Sequence, residues 1–195
     1  MMAVRAGVVA MVMPLTLLSA GAVSAERQSR PMSRDTDAVL ALGRFGVYGP
    51  GQAAITYDPK LVPTDAAAAV AYVPAAGGGG SVQLRAQGLL PNRAYGAHVH
   101  TKSCGAKGDD AGPHYQHVQD PVTPSTNPKY ANPRNEVWLD FTTDARGNGF
   151  SRSALEHGFG DRHPRSVIIH TEHTHTDQGH AGQAGARLAC INVDF

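Results

Sequence analysis

The sequence has few cysteines, few aromatic residues and no excess of charge of either sign. Its 195 residues include two cysteines, one tryptophan and 6% aromatic side chains. The charges of the 17 basic and 16 acidic side chains nearly cancel. The chain therefore lacks the excess positive charge that is typical of proteins that bind nucleic acid or anionic lipid. We therefore expect no nucleic acid among its partners.

One long apolar run is present, and it lies at the N-terminus. Residues 6–18 are almost uninterruptedly apolar, and small residues follow up to Val23-Ser24-Ala25, which is typical of an export signal peptide. The run is shorter than the about 20 residues of a membrane span, so we expect no transmembrane segment in the mature chain. We predict a secreted, periplasmic or envelope-associated protein with a signal peptide (1–25), a flexible N-terminal arm (26–37) and one domain (38–195).

A sustained 3.6-residue apolar period is also lacking. Short strands are predicted instead, the first two from small and β-branched residues between Gly and Pro, and later ones from alternation of apolar and polar residues. These are Ala38–Tyr48, Gln52–Tyr57, Ser81–Ala86, Ala94–His100, Glu136–Thr142, Gly149–Ala154, Arg165–His170 and Ala186–Val193. This spacing predicts an all-β antiparallel sandwich or barrel. Its long loops, 102–134 and 171–185, hold five of the ten histidines and are of a length that is usually functional.

Two histidines occupy alternate positions of one predicted strand. His98 and His100 therefore leave the same face of the sheet and can share a metal ion. Imidazole suits copper, zinc, iron and nickel, and His114 and His170 are candidates for further ligands. The pair taken alone is equally compatible with a surface or structural role.

Cys104 and Cys190 complete the pattern. In an exported chain two cysteines are expected to pair, the alternative being two separately buried thiols. The bridge would tether the loop after His100 to the strand that carries Arg187.

Four segments resemble the signature segments of copper/zinc superoxide dismutases, in the family's order. They are His98-Val-His100, Gly112-Pro-His114, Val167-Ile-Ile-His170 and the run from Gly182 to Cys190. The turn Asp144-Ala-Arg-Gly147 also matches a landmark of that family. The resemblance covers the chain from Ser81 to the C-terminus.

The resemblance implies an eight-stranded antiparallel Greek-key β-barrel and a copper ion held by His98, His100, His114 and His170. It implies that Arg187 draws superoxide to the copper and that His114 supplies a proton. Two superoxide ions would then yield dioxygen and hydrogen peroxide, as antioxidant defence. The pairing of Cys104 with Cys190 follows from it too, and a homodimer is compatible with it.

The sequence departs from that family where zinc would bind. Arg134 and Val137 stand where two zinc ligands are expected, and neither can ligate zinc. Thr174 replaces an aspartate that would connect the two metal sites. We therefore expect a copper-only variant with zinc doubtful, in which His117 and Asp120 are either substitute zinc ligands or solvated loop residues.

A second histidine patch is formed by His173, His175 and His180. It is an accessory metal site, a pH-dependent guiding surface or ordinary loop polarity. His157 and His163 are expected to have no ligand role. The leading function is superoxide dismutation at copper. The alternatives are a copper-binding or copper-delivery protein with the same ligands, and a structural sandwich that binds no copper.

Overall fold

The structure, a computed structural model, describes residues 37–195. The predicted signal peptide and the arm up to residue 36 lie outside the described residues. Nine strands are present: β1 Val39–Gly46, β2 Ala54–Thr56, β3 Ala67–Pro74, β4 Gly80–Gln87, β5 Ala94–His100, β6 Phe141–Thr142, β7 Gly149–Leu155, β8 Ser166–His170 and β9 Arg187–Asn192. A short 3-10 helix spans Gly108–Ala111. Over this range no helix is both long enough and apolar enough to cross a membrane.

The strands form one sheet in the order β6-β5-β8-β9-β2-β1-β3-β4-β7. All pairings are antiparallel except that of β1 with β2. The two end strands lie beside each other. Gly149 of β7 is so close to the Phe141 ring of β6 that a Cβ added at Gly149 would overlap it. The sheet is therefore a nearly closed barrel, and the predicted all-β barrel or sandwich is confirmed.

One of the nine strands, β3, was not predicted from the sequence. Its sequence from Ala67 to Ala71 is rich in alanine, a residue depleted in strands. The strand nevertheless pairs along its whole length with β4 and along most of it with β1. Val70 and Tyr72 point into the core at 0% and 1% exposure, so packing between two neighbours outweighs the weak strand propensity of alanine.

The predicted strand Glu136–Thr142 is a regular strand only at its end, in β6. The residues before β6 run beside β5 but form no continuous strand pairing with it. The amide of Leu139 donates to Ala97 O over 2.7 Å, and the amide of Val99 donates to Val137 O over 3.3 Å. Val137 and Leu139 are buried in the core. Because side chains alternate, the polar residues of this segment face the opposite side.

Strands β5 and β8 are buried on both faces. Val99 and Ile169 pack in the main core. His98 and His100 lie on the other face and are 0% exposed. The long loop between β5 and β6 covers that face, which explains how an imidazole pair becomes part of the interior.

The predicted disulfide is confirmed. Cys104 and Cys190 are bonded across 86 residues of sequence, and Cys190 lies in β9 opposite Ile168 of β8. The amide of Cys104 also donates to Asn192 Oδ1 over 2.8 Å. The loop after β5 is thus fixed to the last strand at two points.

Replacing both cysteines with serine should therefore destabilise the barrel. Cross-linking a loop of this length lowers the entropy of the unfolded chain, which stabilises the fold by roughly 4–5 kcal/mol. Urea denaturation of the metal-free protein should show a loss of that order in the free energy of unfolding. Equal unfolding midpoints for the two proteins would contradict this role of the bridge.

Candidate metal centre

Four histidines from three parts of the chain meet on the outer face of β5 and β8. His98 and His100 come from β5, His170 ends β8 and His114 lies on the loop between β5 and β6. One ligand nitrogen of each ring lies within 4.8 Å of the others. The structure therefore brings all four predicted ligand residues into one cluster.

Backbone carbonyls fix two of these rings. His100 Nδ1 donates to Gly112 O over 2.9 Å, and His170 Nδ1 donates to Gly185 O over 3.3 Å. A carbonyl oxygen only accepts hydrogen bonds, so in both rings the proton is on Nδ1 and Nε2 keeps its lone pair.

A buried carboxylate fixes the third ring. His114 Nδ1 donates to Glu136 Oε2 over 2.9 Å, and the Glu136 side chain is 1% exposed. Trp138 Nε1 donates to the same oxygen over 2.7 Å, and Gln116 Nε2 to the other oxygen over 2.8 Å. With three donors around it, Glu136 can stay in the interior and hold His114 in one orientation.

A threonine and an aspartate fix the fourth ring. Thr174 Oγ1 donates to Asp140 Oδ1 over 2.7 Å, and its amide donates to Asp140 Oδ2 over 2.7 Å. The same hydroxyl lies 2.7 Å from His98 Nε2. Because its only proton is used on Asp140, the hydroxyl accepts from His98 Nε2–H. His98 therefore presents Nδ1, whereas the other three rings present Nε2.

The free nitrogens face one another without hydrogen-bond partners. Nδ1 of His98 and Nε2 of His100 and His170 are buried and unpaired among the described atoms. An unpaired buried polar atom costs about 1–3 kcal/mol, and several lone pairs aimed at one point attract a cation. Ring centroids 4.0 Å apart for His98 and His114 and 4.9 Å for His98 and His170 show how closely the donors are held. The residues thus fit a metal ion bound by imidazole nitrogen.

Arg187 shares a hydrogen-bond acceptor with this cluster. Its Nη1 donates to Gly112 O over 2.8 Å and to Gly108 O over 2.9 Å, and Gly112 O also accepts from His100. Gly112 has a φ of 73°, a conformation that glycine adopts readily. One glycine carbonyl therefore sets the positions of a ligand ring and of the neighbouring cation.

A cavity of about 620 Å³ opens onto the cluster, and His114, His170 and Arg187 line it. The carboxylates of Asp109 and Glu172 also line it, and Asp109 lies 3.7 Å from Arg187 Nε. Arg187 is half-buried. A small solute can thus reach His114, His170 and the guanidinium from solvent.

Burial keeps three of the four rings, those of His98, His100 and His170, neutral. It lowers the pKa of His98 and His100 well below the usual value of 6.5, and the neighbouring His114 lowers both further. The same desolvation, followed by the effect of His114, lowers the pKa of His170 to about 3. Neutral imidazole is the form that binds metal ions.

Two residues of the centre were missed in the sequence. Glu136 and Asp140 were assigned only to a predicted strand, although both fall on the face that alternation assigns to Trp138. Val137 and Leu139 between them are buried apolar residues. Two acids on the polar face of a strand that also carries buried apolar residues were the signal for paired carboxylates behind the histidines.

The suggested substitute zinc ligands have other partners. The His117 ring stacks on His157 with centroids 4.3 Å apart, and Asp120 accepts hydrogen bonds from Val122 N and Ser125 Oγ. Neither belongs to the four-histidine cluster. The structure therefore brings neither His117 nor Asp120 to this centre.

The fold is similar to those of several solved structures. A double mutant of a SOD-like protein from Bacillus subtilis has a TM-score of 0.50 at 16% identity, covering 80% of this chain and 95% of that one. The clock protein EA4 has a TM-score of 0.50 at 17% identity, covering 85% of this chain and 98% of that one. No family model and no curated protein matches the sequence. At such identities the likeness shows the fold alone, and that fold is SOD-like.

The metal-free protein should lose stability as the pH falls from 6.5 towards 5. A histidine whose pKa is lowered in the folded state takes up its proton on unfolding, so acid favours the unfolded chain. Once the pH is well below the pKa of histidine in the unfolded chain, the free energy of unfolding falls by about 1.4 kcal/mol per pH unit for each of His98, His100 and His170. Urea unfolding midpoints measured between pH 6.5 and 5 test this. Midpoints that stayed constant would contradict the lowered pKa values of these three histidines.

Thr174→Val should weaken metal binding while keeping the side-chain shape. Without the hydroxyl, His98 Nε2–H has no acceptor, and the ring is free to place its proton on the nitrogen that should ligate. Loss of such a supporting partner typically costs about 10–100-fold in metal affinity. Chelator competition measures it, and Thr174→Ser, which keeps the hydroxyl, is the matched control. Equal affinity in the valine and serine variants would rule out this role of Thr174.

Proposed function

We propose that the protein is an exported, copper-dependent superoxide dismutase. The observation that carries the proposal is the convergence of four imidazole nitrogens, three of them buried and unpaired, beside an arginine at the base of an open cavity. The SOD-like fold supports it, as do the signature segments in the sequence. The reaction converts two superoxide ions and two protons into dioxygen and hydrogen peroxide.

Copper is the metal favoured by this donor set together with the sequence resemblance to copper/zinc superoxide dismutases. An all-imidazole site suits several metals, but zinc has no redox chemistry. A copper ion held by His98, His100, His114 and His170 would supply one-electron oxidation and reduction. The remaining requirements fall to side chains of this chain: attraction of an anion and delivery of a proton.

Arg187 is suited to bind the anion. Two backbone carbonyls hold its Nη1, so the guanidinium is fixed at the cavity rather than free to follow solvent. A guanidinium in a fixed position beside a low-dielectric wall attracts and orients a small anion. Its remaining N–H groups are the donors that would contact superoxide.

His114 is suited to deliver the proton. It lines the cavity, and its side chain is 18% exposed, whereas the other three rings are buried. Its Nδ1 is fixed on Glu136, so its Nε2 is the nitrogen that would alternate between holding copper and holding a proton that faces the cavity. We assign the proton for hydrogen peroxide to this atom.

The disulfide supports an oxidising location. Bonds such as Cys104–Cys190 persist outside the reducing cytosol. Together with the predicted signal peptide this favours secretion, the periplasm or the cell envelope, where superoxide from outside would be met.

One feature of the cavity favours a second function, copper binding and delivery. Among the described residues that line the cavity, Arg187 is the only lysine or arginine, and Asp109, Asp120, Glu136 and Glu172 are acidic. The side chains of Asp109 and Glu172 are 97% and 56% exposed. Such a rim favours approach of a cation over that of an anion.

Superoxide decay and copper affinity, measured on the same variants, separate the two functions. The mature, disulfide-bonded protein loaded with copper alone should accelerate superoxide decay, and added zinc should leave the rate unchanged. Arg187→Ala should slow the decay roughly tenfold or more while copper affinity stays the same, because the guanidinium acts on the anion. Stopped-flow decay and chelator competition give the two quantities.

Arg85→Ala is the matched control, since this exposed arginine lies over the Phe150 ring, away from the cavity lining. It should change neither quantity. Spontaneous-rate decay in the copper-loaded protein would overturn the dismutase proposal and leave copper delivery as the function. Failure to bind copper would overturn both.

A further inference from the structure

A carboxylate lies against the Arg187 guanidinium, on the short 3-10 helix Gly108–Ala111. Asp109 Oδ1 is 3.7 Å from Arg187 Nε, which is an ion-pair distance but too long for a hydrogen bond. The side chain of Asp109 is 97% exposed, whereas that of Arg187 is 23% exposed. Because both residues line the cavity, an anion that enters from solvent meets the carboxylate as it approaches the cation.

The helix that carries Asp109 packs closely on the arginine. A Cβ added at Gly108 would lie 2.8 Å from Arg187 Cβ and 3.3 Å from Arg187 Cδ, so glycine is what lets the helix come this near. Gly108 O also accepts from Arg187 Nη1 over 2.9 Å. The amide of Gly112 donates to Asp109 O over 3.0 Å. The backbone of Asp109 is therefore fixed beside the guanidinium.

Asp109 is the ionised group that acts most strongly on Arg187. The next acid along the helix, Asp110, turns away and accepts from the amide of Lys107 over 2.9 Å. Burial lowers the pKa of Arg187, and Asp109 opposes this more than Tyr57 does. Burial also raises the pKa of Tyr57 to about 12, so its phenol is uncharged at neutral pH.

The edges of the guanidinium are divided between these neighbours. Arg187 Nη1 donates to two carbonyls, Gly108 O and Gly112 O. A phosphate or a carboxylate binds arginine best through two parallel N–H bonds. With Nη1 occupied, the edge formed by Nε–H and Nη2–H could offer such a pair, and Asp109 lies at its Nε end. A small anion that needs one N–H contact can still use Nη2.

We propose that Asp109 determines the anion selectivity of this centre. It excludes phosphate and other polyatomic oxyanions from Arg187 and leaves Nη2 open to a small monoanion. The repulsion between the Asp109 carboxylate and an entering anion grows with the charge of the anion, so a dianion is rejected more strongly than superoxide. This role of Asp109 rests on the anion-binding role proposed above for Arg187.

The test measures phosphate binding to the metal-free, mature, disulfide-bonded protein at mildly alkaline pH, where phosphate is mainly a dianion. Asp109→Asn should bind phosphate roughly fivefold more tightly than the wild-type protein, because the repelling charge is gone. NMR titration of the backbone amides of residues 108–112 and of Arg187 Nε–H gives the dissociation constants. The double variant Asp109→Asn/Arg187→Ala should lose the added affinity.

Neither copper nor turnover enters this measurement. A protein without dismutase activity therefore still gives a result, and failure here leaves the dismutase proposal standing.

Asp194→Asn is the matched control. Asp194 Oδ1 lies 3.1 Å from Arg165 Nη1, and both side chains are exposed. The variant thus removes the same charge from a carboxylate–arginine pair that does not line the cavity, and it should bind phosphate as the wild-type protein does.

Equal phosphate affinity in the wild-type and Asp109→Asn proteins would overturn the proposal. A gain of the same size in the Asp194 variant would also overturn it, since net charge rather than position would then explain the effect. So would a gain that persists without Arg187, because the phosphate would then bind elsewhere.

Discussion

The centre depends on one constraint: each of four histidines has one ring nitrogen committed to a hydrogen bond with the protein. His100 and His170 use backbone carbonyls, His114 uses Glu136 and His98 uses Thr174. Each bond fixes both the tautomer and the rotation of its ring, so the lone pairs converge before any ion is present. Binding then needs little reorganisation, which is how supporting partners raise metal affinity. The unpaired nitrogens cost the empty fold stability, so ion binding and stability are coupled.

The loop between β5 and β6 also helps to fix the histidine rings. Gly112 accepts from both His100 and Arg187, and the bridge from Cys104 ties the preceding part of this loop to β9, the strand of Arg187. A ligand ring, a cation and a cross-link thus share one short stretch of chain. Displacing that stretch would move the metal ligand and the anion site together, so a change there should alter affinity and rate jointly, unlike a change at Arg187 alone.

Much of the fold and the four histidines of the centre could be predicted from the sequence. Local patterns, such as alternation with a period of 2, located eight strands, and β5 was placed to the residue. β3 was missed because alanine has weak strand propensity, and only its position between β1 and β4 makes it a strand. The four histidines were found by motif, whereas Glu136 and Asp140 were not. Their roles depend on the segment 136–140 lying along β5, a long-range pairing that no local pattern contains.

The departures from the family's zinc-site pattern have a physical counterpart in these two carboxylates. At the position after His170 where the resemblance implies an aspartate that connects two metal sites, the chain has Thr174. The Thr174 hydroxyl accepts a hydrogen bond from His98 and donates one to Asp140. Glu136 in turn accepts a hydrogen bond from Nδ1 of His114. A carboxylate hydrogen-bonded to an imidazole orients the ring and raises its basicity. Two acids of a single segment therefore orient two of the four rings, Glu136 directly and Asp140 through Thr174.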